Sequence, residues 1–196
     1  MRTHIDVSKP RNMRTTMRAP RLCKRVRFAT FAANAVACLV LVAGANLAQA
    51  DDVDKPADFL ASAIQDGRAE IQSCQLALRT SSDTSVQAFA KRMISDHGAL
   101  DARIESLARK KGYELPTGIS ITQKATQAAL TPLTGHTFDK VFMEHNVSDH
   151  KDDIKHFSEQ AQQGSDPEVR ALAASAVPVL REHLKLSEQT LANVSR

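Results

Sequence analysis

The sequence predicts an all-α protein: four long antiparallel helices forming a bundle, with a short extra helix in the middle connection, all following an export signal. Three observations predict this. Beyond residue 50, apolar side chains recur every three or four positions over long stretches, the period of one helix face. Strand signals are nearly missing, since aromatic residues make up 4% of the chain and β-branched runs are absent. Breakers fall between the periodic stretches, where helices should stop, and two of the three gaps are short.

The N-terminus sets the charge argument. Residues 1–50 hold nine Lys/Arg and one acid, Asp6, a charge of +8 against +4 for the whole 196-residue chain. Residues 51–196 therefore carry −4, and no basic patch is left to recruit nucleic acid. The basic stretch leads into an apolar run from Phe28 to Gly44 and then Ala48-Gln49-Ala50. A basic region, an apolar region and a small-residue cleavage site describe a secretory signal peptide cut after Ala50. The basic region is long enough that Met13 or Met17 could be the start. Asn34, Asn46 and Gln49 weigh against a retained anchor helix. Apolar residues running on past Cys38 weigh against lipidation there. The expected organisation is a signal at 1–50 and one domain at 51–196, in the periplasm or outer envelope, with no membrane-spanning segment after cleavage. Of three cysteines only Cys74 lies in that domain, so packing rather than a disulfide must stabilise it.

Helix A is expected from Pro56 to Thr80, opening with Asp54 ahead of the proline and ending in Ser81-Ser82-Asp83. Its stripe is Leu60, Ala63, Gly67, Glu70, Cys74 and Ala77. Helix B is expected from Thr84 to Lys111, closed by Gly112 in a left-handed conformation. Its stripe is Val86, Ala90, Met93, His97, Leu100, Ile104 and Leu107. Leu115-Pro116-Thr117-Gly118 break the chain before a short amphipathic segment at Thr122–Leu130. Helix C is expected from His136 to Gln163, stopped by Gly164, with Met143, Val147, His150, Ile154, Phe157 and Ala161 inward. Asp166-Pro167-Glu168 combine a capping acid, a first-turn proline and an acid at the positive end of helix D, which runs to Val194 through Pro178. Its stripe is Val169, Ala173, Ala176, Leu180, His183, Ser187 and Leu191.

Glu70, His97, His150 and His183 interrupt these apolar stripes, one per helix, each about 13–16 residues or roughly 20–24 Å from its helix start. Antiparallel packing would bring all four to one height. Unpaired polar burial costs several kcal/mol, so they must bond each other or bind something. Imidazoles and a carboxylate suit one transition-metal ion (Zn, Fe, Cu or Mn) and do not choose among them. Asp101 and Asp153 are candidate additional ligands; Asp96, Asp149 and Glu182 are candidates to support the ligands from outside. His–Glu hydrogen bonding across the helices would satisfy the same four residues without metal. His136, His145 and His156 point away from the stripes and read as surface residues.

Several stretches carry a family resemblance: Phe59-Leu60 through Glu70, Phe89-Ala90-Lys91-Arg92-Met93-Ile94-Ser95-Asp96-His97, and Lys111-Gly112-Tyr113-Glu114-Leu115-Pro116. Gly135-His136-Thr137-Phe138-Asp139, Asp149-His150 and Val177-Pro178-Val179-Leu180-Arg181-Glu182-His183-Leu184 continue it. In their order the chain resembles the bacterial envelope family catalogued as domain of unknown function 4142. The resemblance covers essentially all of 51–196. It implies a ferritin-like fold, export, and no established activity. The wider ferritin-like class implies a di-metal carboxylate site with paired Glu-x-x-His motifs. Here Ile94, Val147 and Leu180 stand three before the histidines, so that chemistry is not expected to transfer.

Three functions follow as expectations: an exported metal-binding bundle, a non-catalytic envelope stress or interaction module whose His/Glu layer is structural, and an enzyme. The enzyme is the weakest, because no nucleophile–base arrangement or phosphate loop is legible. A homo-oligomer stays open, since no exposed face specifies one.

Overall fold

The computed structural model describes residues 53–196; the expected signal peptide lies outside the described residues. Five helices and no strand occur among them: α1 (Pro56–Thr80), α2 (Thr84–Lys111), α3 (Ile121–Leu130), α4 (Gly135–Gln163) and α5 (Pro167–Val194). None is long and apolar enough to cross a membrane.

Local chemistry fixes the helix ends. The Asp83 carboxylate accepts from the backbone N–H groups of Ser85 and Val86, and Asp166 does the same for Glu168 and Val169. Ser120 and Gln123 form a reciprocal capping box on α3. Gly112 closes α2 at φ 71°, where a side chain would be strained. One end differs from expectation. Asp54 does not cap α1; its carboxylate instead accepts from His156 Nε2 of α4 at 2.8 Å. Gly164 stops α4 without a left-handed turn. It leaves room for Gln160, whose Nε2 would stand 2.4 Å from any Cβ placed there.

The four long helices pack chiefly as two hairpins, α1 with α2 and α4 with α5, and the hairpins meet along α2–α5 and α1–α4. The start of α1 lies by the end of α4, where the Phe59 and Phe157 rings meet edge to face at 5.0 Å. The end of α2 lies by the start of α5, where Lys111 Nζ reaches Asp166 at 2.7 Å. Each of the four long helices is thus antiparallel to the long helices beside it, and α2 and α4 run the same way on a diagonal. Joining two parallel helices demands a connection as long as the helices, and residues 112–134 supply it. α3 is tied to α1 on the way, Gln123 Nε2 donating to Asp66 at 2.6 Å and Gln127 Nε2 to the Ala69 carbonyl at 3.2 Å.

The apolar interior is split in two. One cluster holds Phe59, Leu60, Ile64, Ile104, Phe157 and Leu180; the other holds Cys74, Phe89, Met93, Phe138, Phe142 and Met143. The α1 stripe is buried as expected. On α2 the face drifts, so Asp101 and Ala108 are buried while Leu100 and Leu107 are half-buried. A 3.6-residue turn cannot hold a strict alternation of threes and fours on one line. On α4 Met143, His150 and Phe157 are buried as expected, but at the alternate positions the interior face lies one residue earlier than the apolar pattern suggested. Asn146, Asp153 and Gln160 are buried there, with Val147, Ile154 and Ala161 at the flank.

Candidate metal centre

Glu70, His97, His150 and His183 project from α1, α2, α4 and α5 into the gap between the two apolar clusters, with exposures of 5%, 2%, 0% and 1%. The imidazole centroids make a near-equilateral triangle of 5.7, 5.2 and 5.3 Å. One ring nitrogen from each histidine lies within 4.8 Å of the others. Nitrogens around a tetrahedral ion with bonds of about 2.1 Å stand roughly 3.4 Å apart, so small ring movements separate this set from coordination.

Outer contacts decide which nitrogens face inward. His150 Nδ1 lies 2.8 Å from the Asn146 carbonyl, and a carbonyl only accepts, so Nδ1 carries the proton and the Nε2 lone pair is free. His183 Nε2 lies 2.9 Å from Asp96 Oδ2, which places the proton on Nε2 and frees Nδ1. His150 Nε2 and His183 Nδ1 are buried without a hydrogen-bond partner. A histidine whose second nitrogen donates to a carbonyl or carboxylate is oriented as metal-binding histidines are.

Glu70 joins the triangle from α1, with Oε2 2.8 Å from His97 Nε2 and Oε1 3.7 Å from His150 Nε2. The shorter approach is a charge contact rather than an aligned hydrogen bond, because both Glu70 oxygens and both His97 nitrogens lack a bond of proper geometry. Burial pushes the Glu70 carboxyl up, but His97, with help from His150 and His183, outweighs it and holds the group down at about 2. Burial likewise opposes the His97 charge and Glu70 overcomes it, raising His97 above its ordinary value. Burial lowers His150, and lowers His183 to about 4. Metal-free, the centre therefore favours charge on Glu70 and His97 and disfavours it on His150 and His183.

The flanking carboxylates stand a step outside. Asp101 is buried against α1, its Oδ1 in a notch that a Cβ at Gly67 would close to 2.4 Å. Asp153 is buried beside Glu70 on the wall of a cavity between α1, α3 and α4. Neither belongs to the nitrogen trio.

Over residues 42–190 the chain matches the family described as Domain of unknown function (DUF4142). The chain belongs to that family. Solved structures share the helical fold of this DUF4142 chain. A DUF305 fragment from Deinococcus radiodurans is 17% identical, with a TM-score of 0.64, covering 70% of this chain and 95% of that one. CopM in its Cu(I)-bound form is 14% identical, with a TM-score of 0.61 and coverage of 71% and 97%. CopM in its Ag-bound form gives 15%, 0.60, 72% and 97%. At such identities the likeness is one of fold. No curated protein matches the chain.

Within the DUF4142 domain Asp96, read from the sequence as a candidate to support the ligands from outside, reaches across from α2 to aim His183. Sequence reasoning underrated three other residues. Asn146 orients His150 through its backbone, a contact whose only signal was its place one turn earlier on the helix. His145 is half-buried, 3.0 Å from Asp149, so the two Ser-Asp-His segments use their aspartates differently. His156, also expected at the surface, is half-buried against Phe59 with ring centroids 4.9 Å apart. Cys74 is buried as expected, and burial pushes its thiol well up, leaving it unreactive.

Proposed function

We propose that this chain is an exported ferritin-like four-helix bundle, with a signal peptide at 1–50 and a domain at 51–196, that holds one transition-metal ion in the periplasm or outer envelope. Glu70, His97, His150 and His183 are its ligands; Asp101 and Asp153 stand ready as additional or supporting carboxylates. The role is sequestration or buffering rather than catalysis. The observation that carries this reading is the pair of inward nitrogens on His150 and His183, fixed by outer hydrogen bonds and left without partners. A buried acceptor with no donor costs about 1–3 kcal/mol, and a cation satisfies several at once.

Three imidazoles and a carboxylate, with no sulfur ligand in the set, favour Cu(II) or Zn(II) in the ordinary affinity order. The copper- and silver-bound forms belong to CopM, and support the reading only as metal binding on a similar fold. Elemental analysis of the purified 51–196 protein after exposure to Cu(II) or Zn(II) tests it. We expect one ion per chain, a higher melting temperature reversed by chelator, and loss of both in His97→Ala and His183→Ala. Absence of metal and of any thermal shift would overturn it.

The Glu70–His97 charge contact favours a second reading, a purely structural polar layer in an interaction module. That reading expects His150→Leu to stabilise the protein in every buffer, since well-packed apolar replacements of buried polar groups often do. The metal reading expects His150→Leu to abolish the metal-dependent part of the melting temperature.

A further inference from the structure

Two cavities reach the centre from opposite sides. One, of about 270 Å³, lies between α1, α3 and α4, with Asp66, Glu70, His145, Asp149, Asp152 and Asp153 in its wall. The other, of about 220 Å³, lies between α2 and α5, with Arg92, Asp96, His97, Arg103 and His183 in its wall. The first has five carboxylates and no lysine or arginine; the second has two arginines and one carboxylate. Glu70 belongs to the first cavity and to the centre together. It is 5% exposed, and neither of its oxygens has a hydrogen-bond partner of proper geometry.

We propose that the carboxylate-walled cavity beneath α3 is the entrance through which divalent metal cations reach the histidine centre, Glu70 passing the ion inward. The inference rests on the metal-binding reading above. A cleft lined by one sign of charge between low-dielectric walls focuses the field and raises the local concentration of the counter-ion. The opposite cavity repels the same ion, so the two routes are unequal although both touch ligands. Glu70 stands where the hand-over must occur: Oε1 and Oε2 lie 3.7 and 2.8 Å from nitrogens of His150 and His97, while the same carboxylate lines the cavity. The wall is also costly without a cation. Burial, and then the Glu70 carboxylate, push Asp66 up to about 6, a crowding that a divalent ion relieves. Gln123 and Gln127 of α3 form part of the roof, and their bonds to Asp66 and the Ala69 carbonyl hold it over the opening.

Stopped-flow loading of the 51–196 protein with Co(II) at pH 8, followed by d–d absorption, tests the route separately from the site. Wild-type loading should slow as ionic strength rises. The Asp66→Asn/Asp149→Asn/Asp152→Asn variant should reach the same stoichiometry and final spectrum, but load about tenfold to a hundredfold more slowly with a flatter salt dependence. Arg103→Gln, on the far side, should load at the wild-type rate. A triple variant that loads as fast as wild type, a wild-type rate that does not fall with salt, or acceleration by Arg103→Gln would overturn the entrance while leaving the site intact. Should the triple variant not fold, the wild-type salt dependence and Arg103→Gln still decide. If wild type takes up neither Co(II), Cu(II) nor Zn(II) at equilibrium, the metal-binding reading falls and the entrance falls with it.

Discussion

His183 donates Nε2–H to Asp96 Oδ2 at 2.9 Å, so an imidazole on α5 is aimed into the centre by a carboxylate on α2. The same carboxylate takes the guanidinium of Arg92, one turn away on its own helix, which fixes it from the outer side. The Asp96 side chain thereby links the surface to the least basic of the three buried histidines.

Asp96→Ala should weaken metal binding without removing a ligand. Outer partners of metal-binding histidines are worth about 10–100-fold in affinity. Calorimetric titration with Zn(II) should show that loss at unchanged stoichiometry. The chelated protein should lose about 1–3 kcal/mol, because the Nε2–H of His183 is left buried without an acceptor. Unchanged affinity would show that His183 is held by packing alone.

His183 should make an acid-labile contribution to the stability of the metal-free protein. Its value falls from 6.5 to about 4, chiefly through burial, so protons prefer the unfolded chain. Stability is full above pH 6.5 and falls as pH drops toward 4, by roughly 3 kcal/mol for this group. Asp66, Asp101 and Asp149, raised by burial to about 6, 6 and 7, act in the opposite sense over the same range. The His183 contribution is therefore the difference between wild type and His183→Asn; Glu70 and His97 act outside that range. The lowered carboxyl of Glu70 costs stability only below about 4.5, and the raised His97 only above 6.5. Urea melts of chelated wild type and His183→Asn at pH 7, 6, 5 and 4.5 check this: wild-type stability relative to the variant should fall by about 2–3 kcal/mol from the first pH to the last. A variant as pH-sensitive as wild type would refute the assignment.

Asp66 should behave in the opposite sense. Burial and the nearby Glu70 raise it from 3.8 to about 6, so the folded state holds its proton more tightly than the unfolded chain does. Its contribution to stability is greatest below 3.8 and is lost as pH climbs through 6. Asp66→Asn keeps an acceptor for Gln123 Nε2 and removes the ionisation. The variant should be more stable than wild type at pH 7.5, by about 1–3 kcal/mol, and indistinguishable from it near pH 4. Equal stability at pH 7.5 would place Asp66 in an aqueous setting.

How much of this was legible follows from what each residue interacts with. Helix ends depend on neighbours in sequence, so Gly112 and Asp166 could be read directly, while Asp83, read only as part of the break after helix A, also caps α2. The level shared by Glu70, His97, His150 and His183 depends only on rise per residue and antiparallel packing, and the structure brings the four together. What could not be read depends on pairs far apart in the chain. Asp96 could be named as a supporting group beside His97, but that it meets His183, 87 positions away, could not. The α4 interior misled for a different reason. Apolar pattern marks a core only where the core is apolar: Asn146 and Asp153 stand within about one turn of the polar level at His150, and Gln160 is buried at the end of the helix beside Gly164.

Glu70→Gln should separate the charge of the centre from its shape. His97 sits above its ordinary value although burial pulls it down, and the carboxylate of Glu70 is the main group holding it up. An amide of the same size keeps the packing but supplies no charge. Histidine Cε1–H resonances of the chelated protein, followed by NMR from pH 5 to 8.5, should place the His97 midpoint above 6.5 in wild type. In Glu70→Gln, burial then acts with less opposition, and the midpoint should fall below 6.5. Metal affinity should fall as well, since three neutral imidazoles remain to face a dication without their anionic partner. A His97 midpoint that does not move would mean that Asp96 and Asp101, the other carboxylates acting on that ring, carry its charge instead.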